Sequence, residues 1–396
     1  MINQKMLELG SKRSIIREIF EYSKIRANEI GKENVFDFSL GNPSVCPPQE
    51  ISDCIINLIK NENPTLLHGY TSAQGDQTVR ETVANSVKSR FGCDVSANNV
   101  YMTCGAAASL SISLKALLNE NEQVIVFAPF FTEYTVFIKN AGGEVVISNP
   151  KENTFQVDLV DFENKITEKT KAVIINSPNN PSGVVYTEEK IIKICEILNK
   201  KSAEYNHPIY LISDEPYREL VYSSVKVPYL INYYDNTLVC YSYSKALSLP
   251  GERIGYIIVS PKCVNSKEVY LAVCGAGRSL GYVCAPSLFQ QVIARCVDTV
   301  IDVSVYKENR DLLLDNLTSF GFECVKPDGA FYLFVKTPNN DAFEFYQMAK
   351  KHEILVVPCD DFGVKGYVRI AYCVDKSRIV NSLVSFKNLA KEYSLI

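Results

Sequence analysis

Two stretches decide the fold, KAVIINSP at residues 171–178 and PIYLISDE at residues 208–215. Each is a short, continuous apolar run that stops at loop-forming residues. A strand that is apolar on both faces has to be covered on both, as happens in a mostly parallel sheet held between helical layers. The pattern recurs in EQVIVFAP (122–129), GEVVIS (143–148) and TLVCYSYS (237–244), alternating with helical patterns such as QTVRETVANSVKSRF (77–91). This alternation predicts an α/β domain, which we place at residues 49–288.

On either side of it the pattern changes. SKRSIIREIFEYSKIRANEIGKE (11–33) sets Ile15, Ile16, Ile19 and Phe20 at helical spacing, with Ser11 or Ser14 as cap and Gly31 near the end. NVFDFSLGNPS (34–44) then reads as a strand ending in a loop at Gly41, Asn42 and Pro43. Residues 1–48 are expected to form an arm and helix that join a smaller α+β domain at residues 289–396, where helical patterns mix with short runs such as GAFYLFVK, ILVVP and YVRIAYC.

Composition removes several classes of function. The 396 residues are 46% hydrophobic and 22% charged, an ordinary globular balance. A net charge of −4, from 41 basic and 45 acidic residues, argues against nucleic acid as a partner. No run approaches the ~20 apolar residues that span a bilayer, and Met1 to Tyr22 alternates charged with apolar residues, so the expected location is cytoplasmic. Thirteen cysteines, an odd number without metal-ligand spacing, read as reduced packing residues, as at Cys195 in IIKICEIL and Cys240 in TLVCYS. With only His68, His207 and His352, a histidine metal site or a Ser-His-Asp triad is hard to assemble.

In open α/β sheets ligands bind beyond the carboxyl ends of the strands, and the loops there carry unusual residues. Lys245, in SYSKALSLPGERIGY (242–256), follows a strand, with Ser242 and Ser244 before it and Arg253 after it. A strand-end lysine is placed to act as a neutral amine on a carbonyl, although most loop lysines are simply solvated. Asp214 ends PIYLISD, where a carboxylate can face a pyridine nitrogen or cap a following helix, and Tyr217 lies three residues on. Asn180 sits in the turn NSPNNPSG (176–183). In YMTCGAAASLSISLKALL (101–118), Gly105 and small residues open a helix whose free N–H groups suit a phosphate. Phe131, in FAPFFTEY, offers an aromatic face or is core.

Taken in this order, and with the small C-terminal unit, these motifs resemble the class I and II aminotransferases of the aspartate aminotransferase superfamily, the fold-type I pyridoxal-phosphate enzymes. The most specific stretch is Ser242–Lys245 through Leu249–Tyr256, supported by NNPSG, DEPY and YVRIAYC. The resemblance implies pyridoxal 5′-phosphate as cofactor and amino acid and 2-oxo acid as substrates. It makes Lys245 the internal aldimine lysine and proton-transfer base, and catalytic together with Asp214 and Tyr217. Asp214 would face the pyridine nitrogen, Asn180 and Tyr217 the ring oxygen, and Phe131 the ring. Phosphate would lie on Gly105, Ala106 and Ala107 with Ser242, Ser244 and Arg253. Arg369, Gly41 and Asn180 would bind the substrate carboxylate. Tyr70, in HGYTSAQGDQTVR, would reach the cofactor phosphate of a neighbouring subunit, implying a homodimer.

Two positions depart from the family pattern. Alanines stand at 106, 107 and 108, where many aspartate-specific bacterial members carry a lysine, leaving Arg13, Arg17 and Arg278 as candidates to grip a second carboxylate. The stacking position holds Phe131 where tyrosine or tryptophan is usual. The resemblance favours transamination with an aspartate, aromatic or neutral donor. The same scaffold also supports β-lyase and decarboxylase chemistry, but the histidine usual in the β-lyase branch is absent here, Pro216 and Tyr217 following Asp214-Glu215. Retention of Lys245, Asp214 and Arg369 counts against a regulator built on an inactive enzyme. A separate reading takes GAGRSLG (275–281), with Asp302 about 20 residues on, as a nicotinamide-dinucleotide fingerprint of an oxidoreductase.

Overall fold

The apolar runs become buried strands. A computed structural model describes residues 2–11, 14–151, 153–222 and 225–396. β1 (Phe36–Asp37) is followed by β2 (Val100–Thr103), β3 (Gln123–Phe127), β4 (Glu144–Ser148), β5 (Thr170–Asn176), β6 (Tyr210–Asp214), β7 (Thr237–Ser242) and β8 (Gly255–Val259). β2 to β8 form a seven-stranded sheet in the order β2-β8-β7-β6-β5-β3-β4. Neighbours are parallel except at β8, which runs antiparallel to β2 and β7. The alternation pattern alone does not single out β8. Its apolar run follows the Lys245 motif directly, and residues 243–254 stay at the carboxyl end of β7, so the chain re-enters antiparallel with Ser242 opposite Gly255.

Successive side chains on a strand point to opposite faces, and both faces of this sheet are buried. Ile125, Val173, Ile175 and Leu211 pack on one face with Ile191, Ile194 and Leu198 of helix Glu188–Tyr205. Val124, Val126, Ile174 and Ile212 pack on the other with Leu110, Leu114 and Leu117 of helix Ala106–Leu117. This is the double cover that the continuous Val/Ile runs require, and the fold is α/β with a large, mostly parallel sheet flanked by helices.

β9 (Glu323–Val325), β10 (Tyr332–Lys336), β12 (Val357–Pro358) and β13 (Tyr367–Ala371) make a four-stranded antiparallel sheet in the order β12-β13-β10-β9. β1 pairs in parallel with β11 (Ile354–Leu355), and the Ala371 N–H donates to the Phe38 carbonyl at 2.8 Å. The chain after β1 is thereby fixed beside β13. Ser14 caps helix Ile15–Ile30, accepting from the Arg17 N–H, and Gly31 ends that helix at φ 92°. A separate helix, Gln4–Ser11, precedes it and buries none of its residues.

All thirteen cysteines are unpaired, with Cys195 and Cys240 buried as expected. Among the described residues no helix is long and apolar enough to cross a membrane. The dinucleotide reading of GAGRSLG is overturned. Gly275 and Gly277 lie inside helix Ser266–Ser279, not in a turn between a strand and a helix N-terminus, so they present no free N–H groups to a phosphate. Gly277 has a packing reason instead, because a Cβ there would overlap the Tyr101 hydroxyl.

Candidate active site

The motif-bearing loops after β2, β3, β5, β6 and β7 open at the carboxyl end of the sheet, around a cavity of about 360 Å³. Gly41, Ala106, Ala107, Phe131, Asn180, Asp214, Tyr217, Lys245 and Arg369 line it, all picked out from the sequence. Ile16, Arg17, Leu40, Glu133, Asn176 and Tyr332 complete much of the remaining wall.

Asp214 is 4% exposed at the end of β6. No helix follows for it to cap. The Tyr134 hydroxyl donates to Oδ2 at 2.5 Å, and Asn176 Nδ2 donates to the same oxygen at 3.3 Å and to the Asp214 carbonyl at 3.0 Å. Oδ1 is buried without a partner. Burial raises the carboxyl from its ordinary value of 3.8 to about 7, opposed by the Tyr134 hydrogen bond and reinforced by the neighbouring Glu215. The neighbouring Glu215, by contrast, has a cation beside it, its carboxylate pairing with buried Arg218.

Lys245 follows β7 on the short helix Tyr243–Ala246, and its Nζ donates to the Gly41 carbonyl at 2.6 Å. Burial pulls its amine down from 10.5 to about 8; Cys373 opposes this and the Arg253 and Arg369 charges add to it. A larger fraction of the amine is therefore neutral near neutral pH than in a solvated lysine. A Cβ at Gly41 would overlap the Tyr332 hydroxyl, so a larger residue there would have to displace Tyr332.

Arg369, on β13, is 2% exposed. Its Nη2 donates to the Ser39 carbonyl at 2.6 Å and Nη1 to Asn180 Oδ1 at 3.1 Å, while Nε is buried without a partner. The guanidinium lies 4.6 Å from the Tyr332 ring centroid and 5.6 Å from that of Phe362. No carboxylate is paired with it among the described residues. Tyr217 is buried with its hydroxyl 2.9 Å from that of Tyr332, and burial raises it well above the usual tyrosine range.

Gly105 has φ 90°, in the region that favours glycine, and a Cβ on it would approach Arg253 Nη2 to 3.0 Å. The guanidinium thus stands beside the N-terminus of helix Ala106–Leu117, with Arg253 itself at φ 52°. Ser242 Oγ donates to Ser244 Oγ at 2.8 Å. Gly105, Ser242, Ser244 and Arg253 do not line the cavity themselves; Gly105, with Arg253 beside it, is the chain neighbour of Ala106, which does.

Two further sequence candidates lie elsewhere. Tyr70 is 93% exposed and does not line the cavity of its own chain. Arg278 is exposed at the end of helix Ser266–Ser279, away from the cavity, and Arg13 falls outside the described residues. Arg17 does line the cavity. Sequence reasoning passed over Asn176, Tyr134 and Tyr332. A signal existed for Asn176, a polar residue ending an apolar run and in register with Asp214. Nothing in the sequence marks Tyr134 or Tyr332 among 23 tyrosines.

The family model for aminotransferase class I and II matches residues 33–384. The chain belongs to the class I and II aminotransferase family. Relatives include an aspartate aminotransferase of Thermotoga maritima, 29% identical over 89% of this chain and 90% of the relative. An aromatic-amino-acid aminotransferase 2 of Thermococcus litoralis is 28% identical over 97% of both chains. A crystal structure of an amino transferase from Eubacterium rectale superposes with a TM-score of 0.97 at 52% identity, covering 99% of each chain. This family member is an aminotransferase, and its cavity is the place where the family's motifs converge.

Proposed function

We propose that this aminotransferase binds pyridoxal 5′-phosphate in the cavity and moves an amino group from an L-amino acid to a 2-oxo acid in two successive, ping-pong half-reactions. The observation that carries this reading is the meeting of two unpartnered buried atoms, Asp214 Oδ1 and Arg369 Nε, with the Lys245 amine in a single cavity. A ring N–H⁺ and a carboxylate are the groups these two atoms lack, so the residues present fit a pyridinium cofactor and an α-amino acid.

In this reading Asp214 holds the ring nitrogen protonated, Asn180 and Tyr217 hold the ring oxygen, and Phe131 covers a ring face. Gly105, Ala106, Ala107, Ser242, Ser244 and Arg253 hold the phosphate, where free backbone N–H groups meet a guanidinium. Bound there, pyridoxal phosphate supplies an electrophilic carbon and an electron-withdrawing ring. Lys245 would hold the cofactor covalently and, as a free amine, would serve as the base that moves a proton at the substrate Cα. Arg369 clamps the substrate carboxylate, helped by Asn180 and the backbone at Gly41. The relatives' names support aspartate or an aromatic amino acid as donor. Arg17, at the wall, offers a cation to an acidic side chain.

We further propose a homodimer in which Tyr70 of each copy completes the neighbouring phosphate site, consistent with its outward exposure. The division into an arm at 1–48, a cofactor domain at 49–288 and a small domain at 289–396 follows from the same reading. So does a cytoplasmic location, with which thirteen unpaired cysteines agree. The test is borohydride reduction of the protein loaded with pyridoxal phosphate. The label is expected on a peptide containing Lys245, and Lys245→Ala is expected to lose both the label and transamination. Labelling elsewhere, or none, refutes the reading.

A further inference from the structure

Tyr332, in β10, stands where three parts of the cavity meet. Its hydroxyl is 2.9 Å from that of Tyr217, its ring lies beneath the Arg369 guanidinium at 4.6 Å, and its hydroxyl fills the space that a Cβ at Gly41 would take. Both tyrosines are buried, at 6% and 3% exposure for Tyr217 and Tyr332, and both line the cavity.

A tyrosine hydroxyl has one proton to give and lone pairs to accept with. While nothing else claims a proton, either tyrosine can donate to the other. Once an anionic oxygen takes the Tyr217 proton, Tyr217 can only accept from Tyr332. We propose that Tyr332 is a positioning residue of the reaction, its hydroxyl donating to Tyr217 so that the Tyr217 proton is aimed at, and bound more tightly by, the anionic ring oxygen. Linked hydrogen bonds polarise one another, so the outer donor strengthens the inner one. The ring of Tyr332 has a separate task, supporting Arg369 from below. This inference rests on the pyridoxal phosphate reading above.

The experiment compares wild type, Tyr332→Phe, Tyr332→Leu and Tyr217→Phe, each loaded with pyridoxal phosphate. It reads the pH midpoint of the cofactor's visible absorbance and the cofactor dissociation constant by equilibrium dialysis. Tyr332→Phe keeps the ring and its packing against Phe331, so a purely structural role leaves both readings at wild type. We expect its midpoint to rise by about 0.3–0.7 pH units and its dissociation constant to rise about 2–4-fold, the scale of one modest hydrogen bond. Tyr217→Phe is expected to move the midpoint further in the same direction. Tyr332→Leu also removes the surface under Arg369 and is expected to raise the amino acid KM more than Tyr332→Phe does. A Tyr332→Phe protein that matches wild type in midpoint and dissociation constant, while Tyr217→Phe shifts, overturns the proposal. If wild type itself shows no titrating band with pyridoxal phosphate, the cofactor reading is what fails.

Discussion

Asp214→Asn is expected to make the cofactor-free protein more stable and the enzyme worse. In the folded chain the Asp214 carboxyl is raised from 3.8 to about 7 by burial. Its folded-state value lies above its unfolded one, so its contribution to stability is fully present below about pH 4, falls as pH rises from about 4 to about 7, and is constant above that. About three pH units at about 1.4 kcal/mol each place the loss near 4 kcal/mol, a large share of a typical net stability of roughly 5–15 kcal/mol. Asparagine has the same shape, still accepts from Tyr134 and Asn176, and carries no charge. The Tyr134 hydrogen bond is already included in the value of about 7, so the expected gain over wild type is about 4 kcal/mol at pH 8 and close to zero at pH 4. Urea unfolding of the cofactor-free proteins across this range, followed by circular dichroism, measures it. A gap that is absent at pH 8, or equally large at pH 4, refutes the idea that a desolvated carboxylate is waiting for a cation. Pyridoxal phosphate affinity should move the opposite way, falling in Asp214→Asn.

Arg369→Ala removes a buried guanidinium that has no carboxylate partner among the described residues. The KM for amino acid is expected to rise by about 30-fold or more, as for loss of a charged, desolvated hydrogen-bond donor, while cofactor absorbance persists. Release of the cofactor from this variant would place Arg369 in the wrong role. Tyr70→Ala and Lys245→Ala, each inactive alone, should regain up to about a quarter of wild-type activity when mixed subunits reassemble, because half the dimers are hybrids with one intact site of two. Recovery of nothing, in mixtures shown to exchange subunits, counts against the shared site. Gly277→Ala forces a methyl against the Tyr101 hydroxyl and is expected to destabilise by about 1–3 kcal/mol without any change in nicotinamide nucleotide binding, as read by thermal melting and by titration calorimetry.

The large sheet was legible in the sequence because its strands are buried on both faces, and such strands are written as unbroken Val/Ile runs in KAVIIN and YLIS. The residues at their carboxyl ends were legible for a related reason. Asp214, Lys245 and Gly105 interrupt apolar or small-residue segments where packing alone does not call for them, and their order along the chain carries the family resemblance. Arg369 was readable only through that resemblance, since an arginine in the short run YVRIAYC carries no local sign of what its guanidinium faces.

What the sequence by itself determined, then, is the layered architecture, the edge at which chemistry occurs and most of the residues around it. Local pattern encodes burial, and burial selects the fold. Only the tertiary structure decided which atoms are left unsatisfied. Tyr134 and Asn176 occupy one oxygen of Asp214 and leave the other free, Tyr332 stands between Tyr217 and Arg369, and Arg17 lines the cavity while Arg278 does not. Those partners are separated by 37 to more than 100 residues, as in Tyr332 to Arg369 and Tyr217 to Tyr332. A hydrogen bond depends on direction and on ångström-scale distance, and neither is written in the spacing of residues that meet only after the chain has folded.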